Sequence, residues 1–382
     1  MALVGIIYRV EVVGMNPFQL VLAGTVHIAA VFFAEVPTGV VADAYSRKLS
    51  MLIGFTLLGI GLIFEGSIPQ FWAVLVGQLI WGIGRTFISG AWSAWLAGEI
   101  GEDILQNVMI RGEQIGRTIA IIGTITAMIL GSINLGLTIQ LIGSGFLLLA
   151  LTLLIIMPET DFVPAAADER ETWGKLKQTF QAGTKYVRAS NFLMLIFIIE
   201  LCYGFTDPGI HRLSEAHLLE DFIWPTYRNW QPVTWLGLIS ITNSLLTIGV
   251  TEWLRRNVAE QDAQRVMQVM RVINLVYIVG IVAFAFANSF ALGVLMFILM
   301  SQASRANFAL YDPWLTKQIA PEVRATVLSM WGQMNALGQM LGGPVIGAIA
   351  VATSLPIGYA TIALLLLPVP ILLTVLLRQN QV

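Results

Sequence analysis

Long apolar runs, separated by short breaks, recur from one end of the chain to the other. They lie near 18–41, 49–66, 70–97, 105–133, 137–157, 191–209, 233–254, 266–287, 289–311, 324–350 and 353–377. Most have about the 20 residues a helix needs to cross hydrocarbon. Residues 1–15 are apolar but too few for that, and counting them the chain has about twelve segments. The breaks MNPF, SIPQ, SINLG, FANS and ATSLP hold the prolines, glycines and asparagines of tight connections between antiparallel helices. The pattern predicts an all-α membrane protein whose first helix is cut short. Residues ahead of Met1 would complete it; a genuine half-helix is the alternative.

Two connections are different. Residues 158–190 are long and polar, and within them Trp173, Leu176, Phe180 and Val187 recur among lysines over 172–188. That spacing suits an amphipathic helix on a membrane surface, and equally a linker. Residues 211–232 read as a loop with Trp224, Tyr227 and Trp230, followed by Trp235, as interfacial aromatics. The first connection splits the chain into an N-terminal six-helix bundle (1–157), a linker (158–190) and a C-terminal six-helix bundle (191–382).

Lysine and arginine set the orientation. Numbered from Met1, connections after even segments hold Arg47 and Lys48, Arg111, the linker cations, Arg255, Arg256 and Arg265, Lys317 and Arg324, and the tail holds Arg378. Connections after odd segments hold only Arg212 and Arg228. The even side, with the C-terminus, is therefore expected in the cytoplasm of a cell whose cytoplasmic membrane the chain crosses many times.

Composition agrees. Of 382 residues, 57% are hydrophobic and 12% charged, with mean hydropathy +0.78; soluble domains carry about 25% charged residues. A formal net charge of −2 offers no basic surface for nucleic acid. One cysteine, Cys202, permits no internal disulfide, and three histidines with it make a metal site an unpromising reading. MALVGIIYRVEVVG lacks the basic start and cleavage site of a signal peptide. There is no phosphate-binding G-x-x-x-x-G-K-[ST] loop, H-E-x-x-H or C-x-x-C, so no ATP site, no cofactor and no enzyme chemistry is expected.

The halves echo each other. GRTFISGAWSAWL from Gly84 in segment four matches SRANFALYDPWL from Ser304 in segment ten: an arginine, small and aromatic residues, then Trp-Leu. Gly39, Asp43, Arg47 and Lys48 match Gly249, Glu252, Arg255 and Arg256 more weakly. Parallel repeats are a transporter signature, with substrate near mid-membrane between them. In AEVPTGVVADAYSRK, Gly39 would let helices approach. Asp43 would take hydrogen bonds from a neighbouring helix start, and Arg47 and Lys48 would fix the turn at the inner surface. Together they read as a gate latch.

At these residues the chain resembles the major facilitator superfamily (MFS), whose loop signature is G-x-x-x-D-x-x-x-R-K. EVPTGVVAD looks like the form in bacterial drug or small-molecule efflux members. The resemblance implies the MFS fold, about twelve transmembrane helices in two pseudo-symmetric six-helix bundles, with segments one, four, seven and ten around the cavity. It departs at segment five, where RTIAIIGTITAMILGSI lacks the proline of the antiporters' glycine-proline motif; GGPVIG stands in segment eleven instead.

Charge inside a membrane helix is expensive and marks function. Helical spacing puts Gln78, Trp81, Arg85, Ser89 and Trp92 on one face of segment four, and Ser301, Arg305, Phe308 and Asp312 on one face of segment ten. Glu200, Tyr203 and Asp207 share a face of segment seven. Glu200 lies about 13 Å and Arg305 about 10 Å from the inner boundary at 1.5 Å per residue, a depth that allows an ion pair in one state and an unpaired carboxylate in another. Arg85 is expected to meet Glu113. Each pair is either structural or part of transport. His27 and Glu35, in segment two, are further candidates. A carboxylate in an apolar cavity can take up and release a proton during transport.

The expected function is secondary active transport of a small organic solute by alternating access, as a monomer, with protons or another ion as the driving partner and efflux as the direction. A nutrient-uptake symporter and a transporter-like sensor that moves nothing are the alternatives.

Overall fold

The computed structural model describes residues 2–160, 174, 181, 184, 186–227, 230–258 and 262–379. Among them there is helix and no strand. A short α1 (Ala2–Ile7) runs into a wider π-type turn (Tyr8–Val12). The chain then turns at Gly14, whose φ of 72° favours glycine. Next come α2 (Pro17–Ala44), α3 (Arg47–Ser67), α4 (Phe71–Ile100), α5 (Glu102–Gly131) and α6 (Leu135–Ile156). After the linker come α7 (Asn191–Glu220), α8 (Pro232–Asn257), α9 (Ala263–Ala285), α10 (Phe290–Gln318), α11 (Pro321–Ala352), α12 (Leu355–Leu366) and α13 (Pro368–Gln379). Among the described residues nine helices are long and apolar enough to cross a membrane. The helices α5 and α10 are as long but are interrupted by polar residues. The protein is a multi-pass membrane protein.

Boundaries follow from local chemistry. Side chains of Ser46, Asn134, Ser190, Asp262, Ser289 and Ser354 each accept a hydrogen bond from the backbone N–H three residues on, capping α3, α6, α7, α9, α10 and α12. One expectation needs correction. Segment seven does not end at 209: α7 continues three turns further, through Pro208 to Glu220. Leu213, Ala216, His217 and Leu218 are buried at helical spacing there, and that burial outweighs the polar composition that reads as loop. In the last segment α12 and α13 follow each other through Leu367, whose backbone stays helical, and make one apolar span, Leu355–Arg378. Of the amphipathic stretch 172–188, Trp173, Leu176 and Phe180 lie outside the described residues, as does Arg228; Val187 is buried.

The chain divides into two compact units, residues 1–15 with 26–178, and residues 16–25 with 179–382. In the first, α3 is the central strut, packed on α4 and α6. Lipid gives an apolar face no reason to leave it, so helices must hold each other by close fit. Glycines supply it on both sides of α3. A Cβ on Gly54 would stand 2.7 Å from the Gly84 carbonyl, and one on Gly61 3.0 Å from that of Gly77. Toward α6, a Cβ on Gly59 would stand 2.8 Å from the Gly143 carbonyl, and one on Gly66 2.8 Å from that of Gly136. In the second unit α11 packs on α7 in the same manner. Gly338 faces the backbone of Gly204 and Phe205, and the Phe205 carbonyl occupies the space a Gly342 side chain would need. Gly343 and Gly347 meet Thr25, Val21 and Phe18 in the opening turns of α2.

Gly143 and Gly145 test this packing on one helix. A Cβ at Gly143 would meet the Gly59 carbonyl at 2.7 Å, whereas at Gly145 it would meet nothing within 4 Å. Gly143→Val is expected to cost ~1–3 kcal/mol as overpacking against backbone that cannot retreat. Gly145→Ala should be neutral or stabilising by up to about 1 kcal/mol. Unfolding curves of the purified variants in detergent measure both; equal stability would refute the glycine seam.

Candidate functional site

The turn between α2 and α3 is tied down by an acid other than the one expected. Gly39 has open space where a Cβ would sit, so it serves no close helix approach. Asp43, at the C-terminal end of α2, makes no hydrogen bond among the described residues. An acid at that end faces carbonyls, not free N–H groups. Glu159, just past α6, takes the expected part. Its carboxylate accepts from Ser46 Oγ at 2.6 Å and from the backbone N–H of Lys48 at 2.9 Å, capping the start of α3. The cations close the joint on backbone carbonyls in the last two turns of α4 and at the end of α6. Arg47 Nη1 donates to the Ala94 carbonyl in α4 at 2.8 Å, and Lys48 Nζ to the Met157 carbonyl at 2.7 Å. Trp95 Nε1 donates to the Pro158 carbonyl, and Thr160 donates through N and Oγ1 to Glu99. The joint binds the neighbouring ends of α3, α4 and α6 within one unit. Its echo at the end of α8 is simpler: Glu252 accepts from Arg255 and Arg256 on an exposed turn, and Gly249 is open.

The expected face of α4 divides. Gln78 is buried and donates to Glu65 at 3.0 Å. The Trp81 ring lies 4.8 Å from that of His27, itself buried where Gly82 lets α4 approach α2. Arg85, Ser89 and Trp92 are exposed, as is Glu35 of α2. The side chain of Glu113 lies outside the described residues, so its expected pairing with Arg85 is not seen.

Sequence reading passed over the principal charge of this unit. Glu65, 1% exposed, pairs with Arg9 of the first segment at 2.7 Å, and Tyr8 Oη donates to the Glu65 carbonyl at 2.9 Å. With Gln78 on its other oxygen, the carboxylate is fully engaged. An arginine in the short opening segment and an acid in a membrane span were both visible, and opposite charges in hydrocarbon seek each other.

In the second unit the Glu200–Arg305 pair is not formed. Glu200 is 1% exposed, and its Oε1 accepts from Asn335 of α11, across the seam where Gly204 lies against the Asn335 backbone. Its Oε2 is buried without a hydrogen-bond partner, with the Trp331 indole nearby. Among the described residues the charges acting on it are those of Asp312 and Asp207; no cation stands beside it. Arg305 is exposed and acts on His211 instead. Tyr203 belongs to a closed ring of bonds: its hydroxyl donates to Asn274 Oδ1 at 2.7 Å and accepts from Asn307 Nδ2 at 3.0 Å. Asn274 Nδ2 in turn donates to Asn307 Oδ1 at 2.8 Å. Phe308 packs 5.3 Å from the Tyr203 ring, and Ser301 is half-buried. Asp207 pairs at 3.2 Å with His211, one turn further along α7.

No family model matches the chain. A curated relative, the uncharacterized MFS-type transporter YxaM of Bacillus subtilis (strain 168), is 23% identical over 364 residues, 93% of this chain and 86% of that protein. The solved structure of nucleoside transporter NupG is 18% identical with TM-score 0.72, over 99% of this chain and 96% of that one. A POT family transporter solved in complex with 5-aminolevulinic acid is 12% identical with TM-score 0.73, over 99% and 93%.

Glu65→Ala would leave the Arg9 guanidinium buried and uncompensated, at an expected cost of ~3–5 kcal/mol. Arg9→Met combined with Glu65→Leu should cost less than Glu65→Ala alone, as unfolding curves would show; a costlier double variant would mean that the pair is not the interaction at stake. At the α2–α3 joint, Glu159→Ala should lose about 1 kcal/mol as a lost cap, and Asp43→Ala nothing. The reverse order in thermal melts would return the joint to Asp43.

Proposed function

The chain has the major facilitator fold and resembles MFS-type transporters along nearly its whole length, and on that premise we propose that it is a secondary active transporter of a small organic solute, driven by protons. The observation that carries the reading is Glu200. It is a fully buried carboxylate in a membrane helix, held by a neutral amide, with a second oxygen unpartnered and acids rather than cations around it. Charge in such a place is costly, and proton uptake removes it. A group that exchanges protons in step with a change of helix packing couples a proton gradient to alternating access. Asn335 lies on the helix α11 that packs on α7, and its amide can turn oxygen or nitrogen toward Glu200, so the contact serves either protonation state. We assign export as the direction, on the likeness of EVPTGVVAD to efflux members, and the cytoplasmic membrane as the site, on the arginine and lysine pattern.

The test is a panel of small organic solutes in proteoliposomes holding the full chain, under an imposed pH gradient in each orientation. Glu200→Gln keeps the shape and removes the titration. It is expected to abolish uphill movement while leaving solute exchange detectable. Wild-type accumulation in that variant would make Glu200 structural and move the coupling elsewhere.

A further inference from the structure

We propose that His211 and Asp207 form the path by which protons reach Glu200, entering at His211 with Glu215 beside it. The proposal rests on the reading of Glu200 as the proton-carrying acid. At about 100° per residue, positions 207 and 211 fall within about 20° of position 200 around the helix, and 215 within about 60°. Four titratable groups therefore follow one stripe, about 22 Å long at 1.5 Å per residue. Two of them stand in the turns of α7 that its polar composition had disguised as loop.

The stripe alternates dry and wet positions. Glu200 and Glu215 each keep a buried carboxylate oxygen without a hydrogen-bond partner. Between them lies the His211–Asp207 pair, Nε2 to Oδ1 at 3.2 Å, with the histidine side chain 62% and the aspartate 32% exposed. Beside the stripe, Tyr203, Asn274 and Asn307 satisfy one another completely, and among the described residues the other buried groups without a partner in this unit are indole N–H groups, which carry no exchangeable charge. Buried groups left unsatisfied call for an explanation, and exchange of a proton supplies one. Other groups face the stripe from every side. Arg305 of α10 acts on His211, and Asp312 of α10 on Glu200. Tyr277 of α9 lies toward Asp207, and Tyr359 of α12 and Arg212 of α7 lie toward Glu215.

The step conserves one proton throughout. The imidazole of His211 takes it from water, with Glu215 beside it to hold the cation. It passes from Nε2 to Oδ1 of Asp207, leaving the imidazole neutral. From Asp207 it travels to Glu200 along about 10 Å of helix, a span for bridging water.

The experiment is a pH jump on the purified full chain in lipid nanodiscs, followed by infrared absorption of the protonated carboxyl group that Glu200→Gln removes. In His211→Ala the final amplitude should match wild type while the rate falls about a hundredfold, the lower range of general acid–base effects. Imidazole in the buffer should restore the rate. Asp207→Asn should also be slow, and imidazole should not rescue it. An unchanged rate in His211→Ala overturns the path and leaves the reading of Glu200 standing. A slow rate that imidazole does not restore makes His211 structural and also overturns the path. Absence of any Glu200-dependent band in the wild type overturns the path and the reading together. His211 is exposed, so its replacement disturbs little packing, and His211→Gln serves as a second variant with the same expected outcome.

Discussion

A helix bundle in lipid gains nothing by hiding apolar surface, because its solvent is as apolar as its core. Everything in this structure follows from that constraint. Cohesion must come from contacts lipid cannot offer: backbone against backbone at glycines, and hydrogen bonds between groups that hydrocarbon would leave unpaired. The two seams of α3 and the seam of α7 with α11 are the first kind. The Glu159 joint and the Tyr203–Asn274–Asn307 ring are the second.

The same constraint makes the two units chemically unequal. Each buries an acid almost completely. In the first, Glu65 is neutralised by Arg9 and fully bonded, so its charge is settled once the unit has folded. In the second, Glu200 has only an amide for support. Breaking a buried ion pair is strongly destabilising, whereas an amide serves either protonation state by turning its oxygen or its nitrogen toward the acid. The first arrangement resists change and the second permits it.

Much of this was legible in the sequence. Apolar runs placed α2–α6, α8, α9 and α11 to within a few residues, because hydrocarbon thickness fixes their length; α10 runs two turns past its apolar stretch. The loop signature and half-repeat pointed to the superfamily. Partners were harder to read. Depth along a helix put Glu200 near Arg305, but depth says nothing of azimuth, and Gly204 had already brought α11 and Asn335 to that side. Asp43 had the right residue type at the wrong end of a helix. Glu159 was hidden in a polar connection because capping depends on where a chain returns. His211 and Glu215 were assigned to a loop because composition outweighed the spacing of Leu213, Ala216 and Leu218.

The glycine seams also fix what can bend. Where backbone touches backbone, no side chain remains to rotate or compress, so α3, α4 and α6 form a stiff frame closed at one end by the Glu159 joint. Gly112, Gly116 and Gly123 of α5 and Gly39 of α2 have nothing against them. Compliance in this unit is therefore concentrated in α5, which can tilt against the frame as a lever against a fixed mount.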